Sequence, residues 1–204
     1  MKEKSWQTAA EYLAERAKDP EYVERERKRE EELKRLEEEY DRAEKPLVQD
    51  LEAAGFPVRS VYDFVNTTQS YQGALPILLD HLQRSYPAAI REGIARALAV
   101  PEARFAWPLL VRPYREEPNE QVKDGLAVAV ANTADKSVAD ALIGLIREPQ
   151  LGDSRLLLLG ALPRLGIDRA REVLEELQTH PQLGKEARVL LRRLDRKRRT
   201  QKSE

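Results

Sequence analysis

A repeat of 32 residues constrains the fold of this chain more than any other feature of its sequence. Six of the 32 columns are apolar in all four rows, whereas about one such column is expected by chance in a chain that is 41% apolar. The aligned segments are ALPILLDHLQ from Ala74, AWPLLVRPYR from Ala106, VADALIGLIR from Val138 and AREVLEELQT from Ala170. Repetition at such a period is typical of stacked structural units.

Each unit is predicted to contain two helices, because its apolar residues recur at helical spacing on both sides of a breaker. The breakers are prolines at nearly the same position: Pro87, Pro118, Pro149 and Pro181. The three strongest apolar columns are Leu78, Leu110, Leu142 and Leu174; Ile94, Leu126, Leu158 and Leu190; and Leu98, Val130, Leu162 and Leu194. A single hairpin cannot bury both of its stripes, so the units are expected to stack.

The details of the unit resemble HEAT repeats over about residues 74–195. A proline stands early in the first helix, as at Pro76 and Pro108, and a leucine pair follows it. A dipeptide opens each second helix and is apolar–basic in its clearest form: Ile90-Arg91, Val122-Lys123, Ser154-Arg155 and Ala187-Arg188. The resemblance implies an all-α fold, a right-handed α-solenoid of about four to five HEAT-like helical hairpins, preceded by a long charged helix.

The chain ahead of the repeats is predicted to form a helical arm and a capping unit. Ser5 to Lys18 forms an amphipathic pattern that includes Trp6 and Leu13, and Asp19-Pro20 is a typical helix start. Solenoids need capping units, and PLVQDLEAAG with VRSVYDFVN is a candidate pair of short helices. The predicted divisions are an arm at 1–45, a capping hairpin at 46–72, repeats at 73–195 and a basic tail at 196–204.

The charged helix of the arm has two interpretations. Every residue between Val23 and Leu33 is charged, so no buried stripe crosses that segment. Five pairs spaced i,i+4 are expected to support the helix: Glu24–Lys28, Glu30–Lys34, Glu31–Arg35, Glu38–Arg42 and Asp41–Lys45. A stripe then follows, formed by Leu33, Leu36, Tyr40, Ala43, Leu47 and Leu51. The helix either docks on the solenoid through this stripe or serves as an oligomerisation or partner-binding arm.

The sequence presents no recognisable catalytic or metal-binding pattern. The chain has no cysteine, which excludes disulfides and cysteine-bound metal sites. His81 and His180 are expected to lie on the order of 30 Å apart, given roughly 8–10 Å for each helical layer, and both are expected to be structural. We therefore predict no catalytic residue, no cofactor and no metal. No membrane-spanning or signal segment is apparent, which favours a cytoplasmic protein.

A basic ladder, defined as Arg91, Lys123, Arg155 and Arg188, is the candidate partner-binding site. The first three share one column of the repeat, and Arg188 is one position away. Such residues either bridge repeats, with acids such as Glu92 and Asp124 as partners, or face a ligand. The resemblance to HEAT repeats favours bridging, because a basic residue at this place commonly pairs with an acid of a neighbouring repeat.

Two functions remain open on sequence grounds. The first is a non-enzymatic adaptor that binds a protein partner through its concave face or its N-terminal helix. The second is nucleic-acid binding in a cradle similar to that of HEAT-like DNA glycosylases, using the basic ladder and the C-terminal tail. A sequence pI near 6.3 favours the adaptor, because phosphate binding is typical of domains with a pI above about 9. Neither the partner nor the oligomeric state follows from the sequence.

Overall fold

The computed structural model describes residues 8–201, with side chains through residue 196, and this part of the chain is all-α with no strand. Short 3-10 helices connect several of the α-helices. Within the described residues no helix is both long enough and apolar enough to cross a bilayer. The helices are α1 (Ala9–Arg16), α2 (Pro20–Ala53), α3 (Tyr62–Val65), α4 (Leu75–Leu82), α5 (Ala88–Ala97), α6 (Trp107–Glu116), α7 (Glu120–Thr133), α8 (Ala139–Ile146), α9 (Arg155–Leu159), α10 (Leu162–Leu165), α11 (Ile167–Glu176) and α12 (Gly184–Gln201).

The chain divides into two compact units, one ending at Ala43 and one starting at Glu44. In the first unit, α1 begins with a capping box. The Thr8 hydroxyl accepts a hydrogen bond from the backbone N–H of Glu11 (3.2 Å), and the Thr8 N–H donates to the Glu11 carboxylate (2.9 Å). The helix predicted from Ser5 to Lys18 is thus confirmed over the shorter range of α1. Ser5 and Trp6, which the prediction includes, lie outside the described residues.

The start of α2 agrees with the prediction, because the Asp19 carboxylate accepts a hydrogen bond from the N–H of Glu21 (3.0 Å) and the helix begins at Pro20. The ion pairs along it mostly differ from the expected ones. Among the described side chains, only Glu24–Lys28 of the five predicted pairs lies within ion-pair distance (3.4 Å). The shorter pairs are Arg27–Glu24 (2.8 Å), Arg27–Glu31 (2.5 Å) and Arg35–Glu32 (2.6 Å). All of these groups are exposed, so each pair contributes little to stability.

The boundary predicted at residue 46 is wrong as a helix start, because α2 continues through Pro46 to Ala53. An internal proline removes one hydrogen bond of the helix. The burial of Leu47 and Leu51, both 0% exposed, offsets that loss. The helix ends where the sequence predicts, with Gly55 at φ +87°, a conformation that favours glycine.

In the described part of the second unit, four pairs of helices are in contact: α4 with α5, α6 with α7, α8 with α9, and α11 with α12. The second helices also contact one another in sequence, because α5 packs on α7, α7 on α9, and α9 contacts α12. All twelve residues of the three strongest apolar columns are buried, and the leucine column at 78, 110, 142 and 174 is 0% exposed throughout. The pattern read from the sequence therefore correctly identifies the core.

A second column of the repeat sets how closely the first of these helices approach. A Cβ atom added to Gly93 of α5 would lie 2.7 Å from a methyl group of Val61. At Gly125 of α7, one repeat later, an added Cβ would lie 3.1 Å from the backbone carbonyl of Glu92. The same column holds Leu157 in α9, where the side chain is 39% exposed. A side chain would therefore clash at Gly93 and be crowded at Gly125, whereas the later position accommodates leucine.

The second helix of the third pair is shorter than predicted. The sequence predicts one helix through SRLLLLGAL, whereas the structure has a 3-10 helix up to Ser154, then α9, then a separate α10. Pro163 accounts for the break, because its nitrogen cannot donate the hydrogen bond that a continuous helix would need, whereas it is tolerated in the first turn of α10.

Candidate interaction surfaces

The four residues of the basic ladder all lie at or near the beginning of a second helix, but their side chains occupy four different environments. Arg91 lies in the first turn of α5, Lys123 in the first turn of α7, Arg155 at the first residue of α9 and Arg188 in the second turn of α12. A shared column of the repeat thus fixes the place of the backbone. It does not fix what the side chain contacts.

Arg91 connects two consecutive helix pairs. Its guanidinium donates hydrogen bonds to both carboxylate oxygens of Glu117, at 3.2 and 2.5 Å. Glu117 is buried, and its carboxylate also accepts the N–H of Asn119 (3.0 Å), whose own side chain caps α7 through the N–H of Val122 (3.1 Å). A two-point pair of this kind fixes geometry as well as charge. Arg91 is therefore engaged in holding the start of α7.

Arg155 is buried, with 2% of its surface exposed. Its guanidinium donates to the backbone carbonyls of Gly152 (2.8 Å) and Ile146 (3.2 Å) and to the side-chain oxygen of Gln182 (3.1 Å). The Ile146 carbonyl is one of those that the C-terminal end of α8 leaves without an intrahelical partner. Gly152 turns the chain toward the arginine with φ +68°. A guanidinium held in this way is not available to a ligand.

Lys123 is half-buried in a cleft of about 470 Å³ that is mainly acidic. Glu117, Glu120, Asp124 and Asp153 line the cleft together with the lysine. Partial desolvation raises the pKa of Asp124. The positive charge of Arg96 lowers this pKa, and the carboxylates of Glu120 and Asp153 raise it, so the net shift is upward. Because Arg91 compensates Glu117, three carboxylates remain against the one ammonium, and this surface is unfavourable for phosphate.

Arg188 is exposed on α12, and its guanidinium donates to the backbone carbonyl of Gln178. It lines a shallow cleft between α11 and α12 with Arg171, Arg192 and Asp195. The basic tail predicted at 196–204 begins inside α12, which extends to Gln201. The side chains after residue 196 lie outside the described residues, so the tail's role stays a prediction.

Glu92, one of the two acids expected to pair with the ladder, has other partners. Glu92 is buried and pairs with Arg96, and the Tyr62 hydroxyl lies 2.6 Å from its carboxylate and 2.8 Å from the Ala89 carbonyl. Desolvation by burial and the neighbouring carboxylate raise the pKa of Tyr62, so its hydroxyl stays protonated and serves as a donor. The prediction that Glu92 serves as an acidic partner of the ladder is wrong, because its carboxylate pairs with Arg96 of the same helix. The reason is that an i,i+4 arginine in the same helix reaches it more easily.

His81 is fully buried, which is deeper than the sequence predicts. Its Nε2 lies 2.9 Å from the Asp50 carboxylate, and its Nδ1 lies 2.7 Å from the Tyr86 hydroxyl. We assign the ring proton to Nε2, which lets Nδ1 accept from the tyrosine. This arrangement ties the C-terminal end of α2 to α4 and satisfies both ring nitrogens. The sequence shows no signal for it, because Asp50 is one acid among many.

His180 precedes α12, and its Nδ1 accepts hydrogen bonds from the N–H groups of Gln182 and Leu183, both at 3.2 Å. The ring therefore accepts the backbone N–H groups of the turn that precedes α12, which is a structural role. Within the described residues, no group of three or more His, Asp or Glu side chains is placed to hold a metal ion.

Several large apolar side chains in the described part of the arm are exposed to solvent. Exposed fractions are 49% for Tyr12, 55% for Leu13, 47% for Val23 and 56% for Leu33, and α1 has no buried residue. The Arg16 guanidinium packs over the rings of Tyr12 and Tyr22, at 5.5 and 4.9 Å from their centroids. The stripe predicted from Leu33 onward is fully buried only from Leu47, within the second unit.

The sequence pattern places Leu13 and Leu33 on apolar stripes, but it does not single out Tyr12 or Val23. For Val23 the sequence offers one signal of exposure, the run of charged residues that begins directly after it, and for Tyr12 it offers none. Comparisons with protein-family models, with curated proteins and with solved structures find no match for this chain.

Proposed function

We propose that this chain is a non-enzymatic adaptor with a HEAT-like α-solenoid body, and that it binds a protein partner through its N-terminal arm. The solenoid assignment draws support from the 32-residue repeat, from the burial of its shared columns and from the sequential contacts of α5, α7, α9 and α12. A body of this kind presents surfaces to a partner without needing a cofactor.

The exposed apolar side chains of the arm are the observation on which the binding proposal rests. Tyr12, Leu13, Val23 and Leu33 are all about half exposed, whereas the leucine column of the body is closed to solvent. Fully burying one such side chain contributes about 1.5–3 kcal/mol. An isolated helix as short as the eight residues of α1 is marginal in water, since about 12–15 residues are needed. A partner that covers these side chains would stabilise the arm as a helix.

The basic ladder is a weaker candidate for the binding surface. Arg155 is buried, Arg91 is bound to Glu117, and Lys123 stands among carboxylates. These contacts favour the bridging interpretation over a ligand-facing one for Arg91 and Arg155. The same contacts weigh against nucleic-acid binding at the ladder, because phosphate recognition needs accessible positive charge.

We expect the triple variant Leu13→Gln, Val23→Gln, Leu33→Gln to capture its partner from native lysate at least about tenfold less well. The reason is that the complex would lose three apolar groups that the partner covers. The control is Lys34→Gln with Glu38→Gln, which changes two exposed positions of α2 and keeps the net charge. Both variants should keep the thermal midpoint of the parent protein, since the replaced side chains are exposed. Capture that the triple variant retains in full would contradict the proposal, and capture that nuclease abolishes would favour nucleic acid as the partner.

A further inference from the structure

The exposed part of α2 carries an apolar stripe with acidic edges. The stripe consists of Leu33, Leu36 and Tyr40; Leu33 is 56% exposed and the other two are half-buried. With 3.6 residues per turn, the positions about 80° to either side of the stripe are 30 and 37 on one edge and 32 and 39 on the other. All four are exposed glutamates: Glu30, Glu37, Glu32 and Glu39. We call these seven residues the acid-edged stripe.

Most basic residues around this stripe lie away from it. At helical spacing they fall more than about 110° from its centre: Arg27, Lys28, Lys34, Arg35 and Arg42. Arg27 pairs there with Glu24 and Glu31, and Arg35 reaches one edge residue, Glu32. Arg29 lies on the line of the stripe one turn before Leu33, and it marks where the stripe ends. The edges between residues 30 and 39 are thus purely acidic, in a helix that contains 13 acidic and 8 basic residues.

A second copy of this chain does not fit the stripe. In a parallel helix pair the residues at one edge face the opposite edge of the partner, and in an antiparallel pair each edge faces its own counterpart. Both orientations would place glutamate against glutamate at all four positions. Like charges that face each other across such a seam are destabilising. The pattern therefore selects against self-association in either direction.

We propose that the acid-edged stripe binds a basic amphipathic helix, with an apolar seam that covers Leu33, Leu36 and Tyr40 and with lysine or arginine on both sides of that seam. This deepens the proposed function, on which it rests, because it gives the chemistry of the partner that the arm binds. The apolar seam supplies affinity, and the four glutamates select the partner by charge. The same glutamates exclude acidic helices and copies of this chain.

Two synthetic peptides test the charge of the partner against the full-length protein. Each is a helix of about 21 residues with leucine at the two seam positions of every heptad; one has lysine at both flanking positions and its twin has glutamate. We expect the lysine peptide to bind at least about tenfold more tightly at low salt, and we expect the difference to shrink as salt rises. A lysine peptide of the same composition with its leucines scattered should bind weakly, since charge alone does not supply the seam.

Charge reversal in the protein gives the decisive comparison. Changing Glu30, Glu32, Glu37 and Glu39 to lysine should invert the preference between the two peptides, whereas changing Glu31 and Glu38 to lysine on the opposite side should leave the preference unchanged. Helical circular dichroism of both variants checks that α2 persists. Equal binding of the two flanked peptides, no binding of the lysine peptide, or a native dimer that Leu33→Gln converts to monomer would each overturn the proposal. If lysate capture still depends on the arm in that case, the adaptor function stands and only the partner chemistry is wrong.

Discussion

Replacing Leu142 with alanine should lower the free energy of unfolding by about 2–5 kcal/mol, because the deleted atoms leave a cavity in a closed core. Leu142 is 0% exposed, in a column whose other members are equally buried. A loss of this size is a large part of the total stability of a single domain, about 5–15 kcal/mol. Urea denaturation followed by circular dichroism measures the change.

Leu109 supplies the matched control for that experiment. It has the same side chain, lies in α6 directly before the buried Leu110 and is 56% exposed. Leu109→Ala should therefore change the free energy of unfolding by no more than about 0.5 kcal/mol. If the two alanine variants lost similar amounts of stability, the assignment of the buried column would be wrong.

Single substitutions in the basic ladder should have very different effects on the free energy of unfolding, because some of its residues are buried and others are accessible. Arg155→Gln should lower the free energy of unfolding by about 2–4 kcal/mol, since the carbonyls of Ile146 and Gly152 would lose their buried donor. Lys123 occupies the same column of the repeat, but Lys123→Gln should change the free energy of unfolding by less than about 0.5 kcal/mol. Chemical denaturation of both variants under identical conditions gives the comparison.

Partner capture adds a second readout to the same pair of variants. If Arg155 only positions helix ends, capture per folded molecule should equal that of the parent protein. A stable Arg155→Gln variant that no longer captures its partner would instead make the ladder a binding surface. That result would also contradict the proposal that the arm carries recognition.

The core of the second unit could be predicted from sequence because burial repeats with the period of the helices. Twelve positions chosen from three columns, Leu142 and Ile94 among them, are all buried. The start of α2 at Asp19-Pro20 and its end at Gly55 also follow from local chemistry, since capping depends on residues adjacent in the chain. These features depend on short-range rules that a single sequence contains.

The candidate sites could not be predicted to the same extent, because side-chain partners depend on the loops between helices. Arg91 meets Glu117 and Arg155 meets the carbonyl of Gly152, although both arginines occupy one column. The turn at Gly152 has no equivalent in the first pair, and the residue at this position is half-buried in the first pair and enclosed in the third. Local propensity likewise opposes the continuation of α2 through Pro46. The burial of Leu47 stabilises that continuation, and burial is not a local property of the sequence.

The glycine column at Gly93 and Gly125 restricts how the helix pairs of this protein could be recombined. A Cβ added at Gly125 would lie 3.1 Å from a backbone carbonyl of α5, so a helix pair with a side chain at that position would need a small shift between the two helices. The third helix pair, which has Leu157 at that position, therefore cannot replace the second pair without such a shift. Duplication or shuffling of helix pairs, by evolution or by an engineer, would therefore be tolerated more easily after Gly125 than before it.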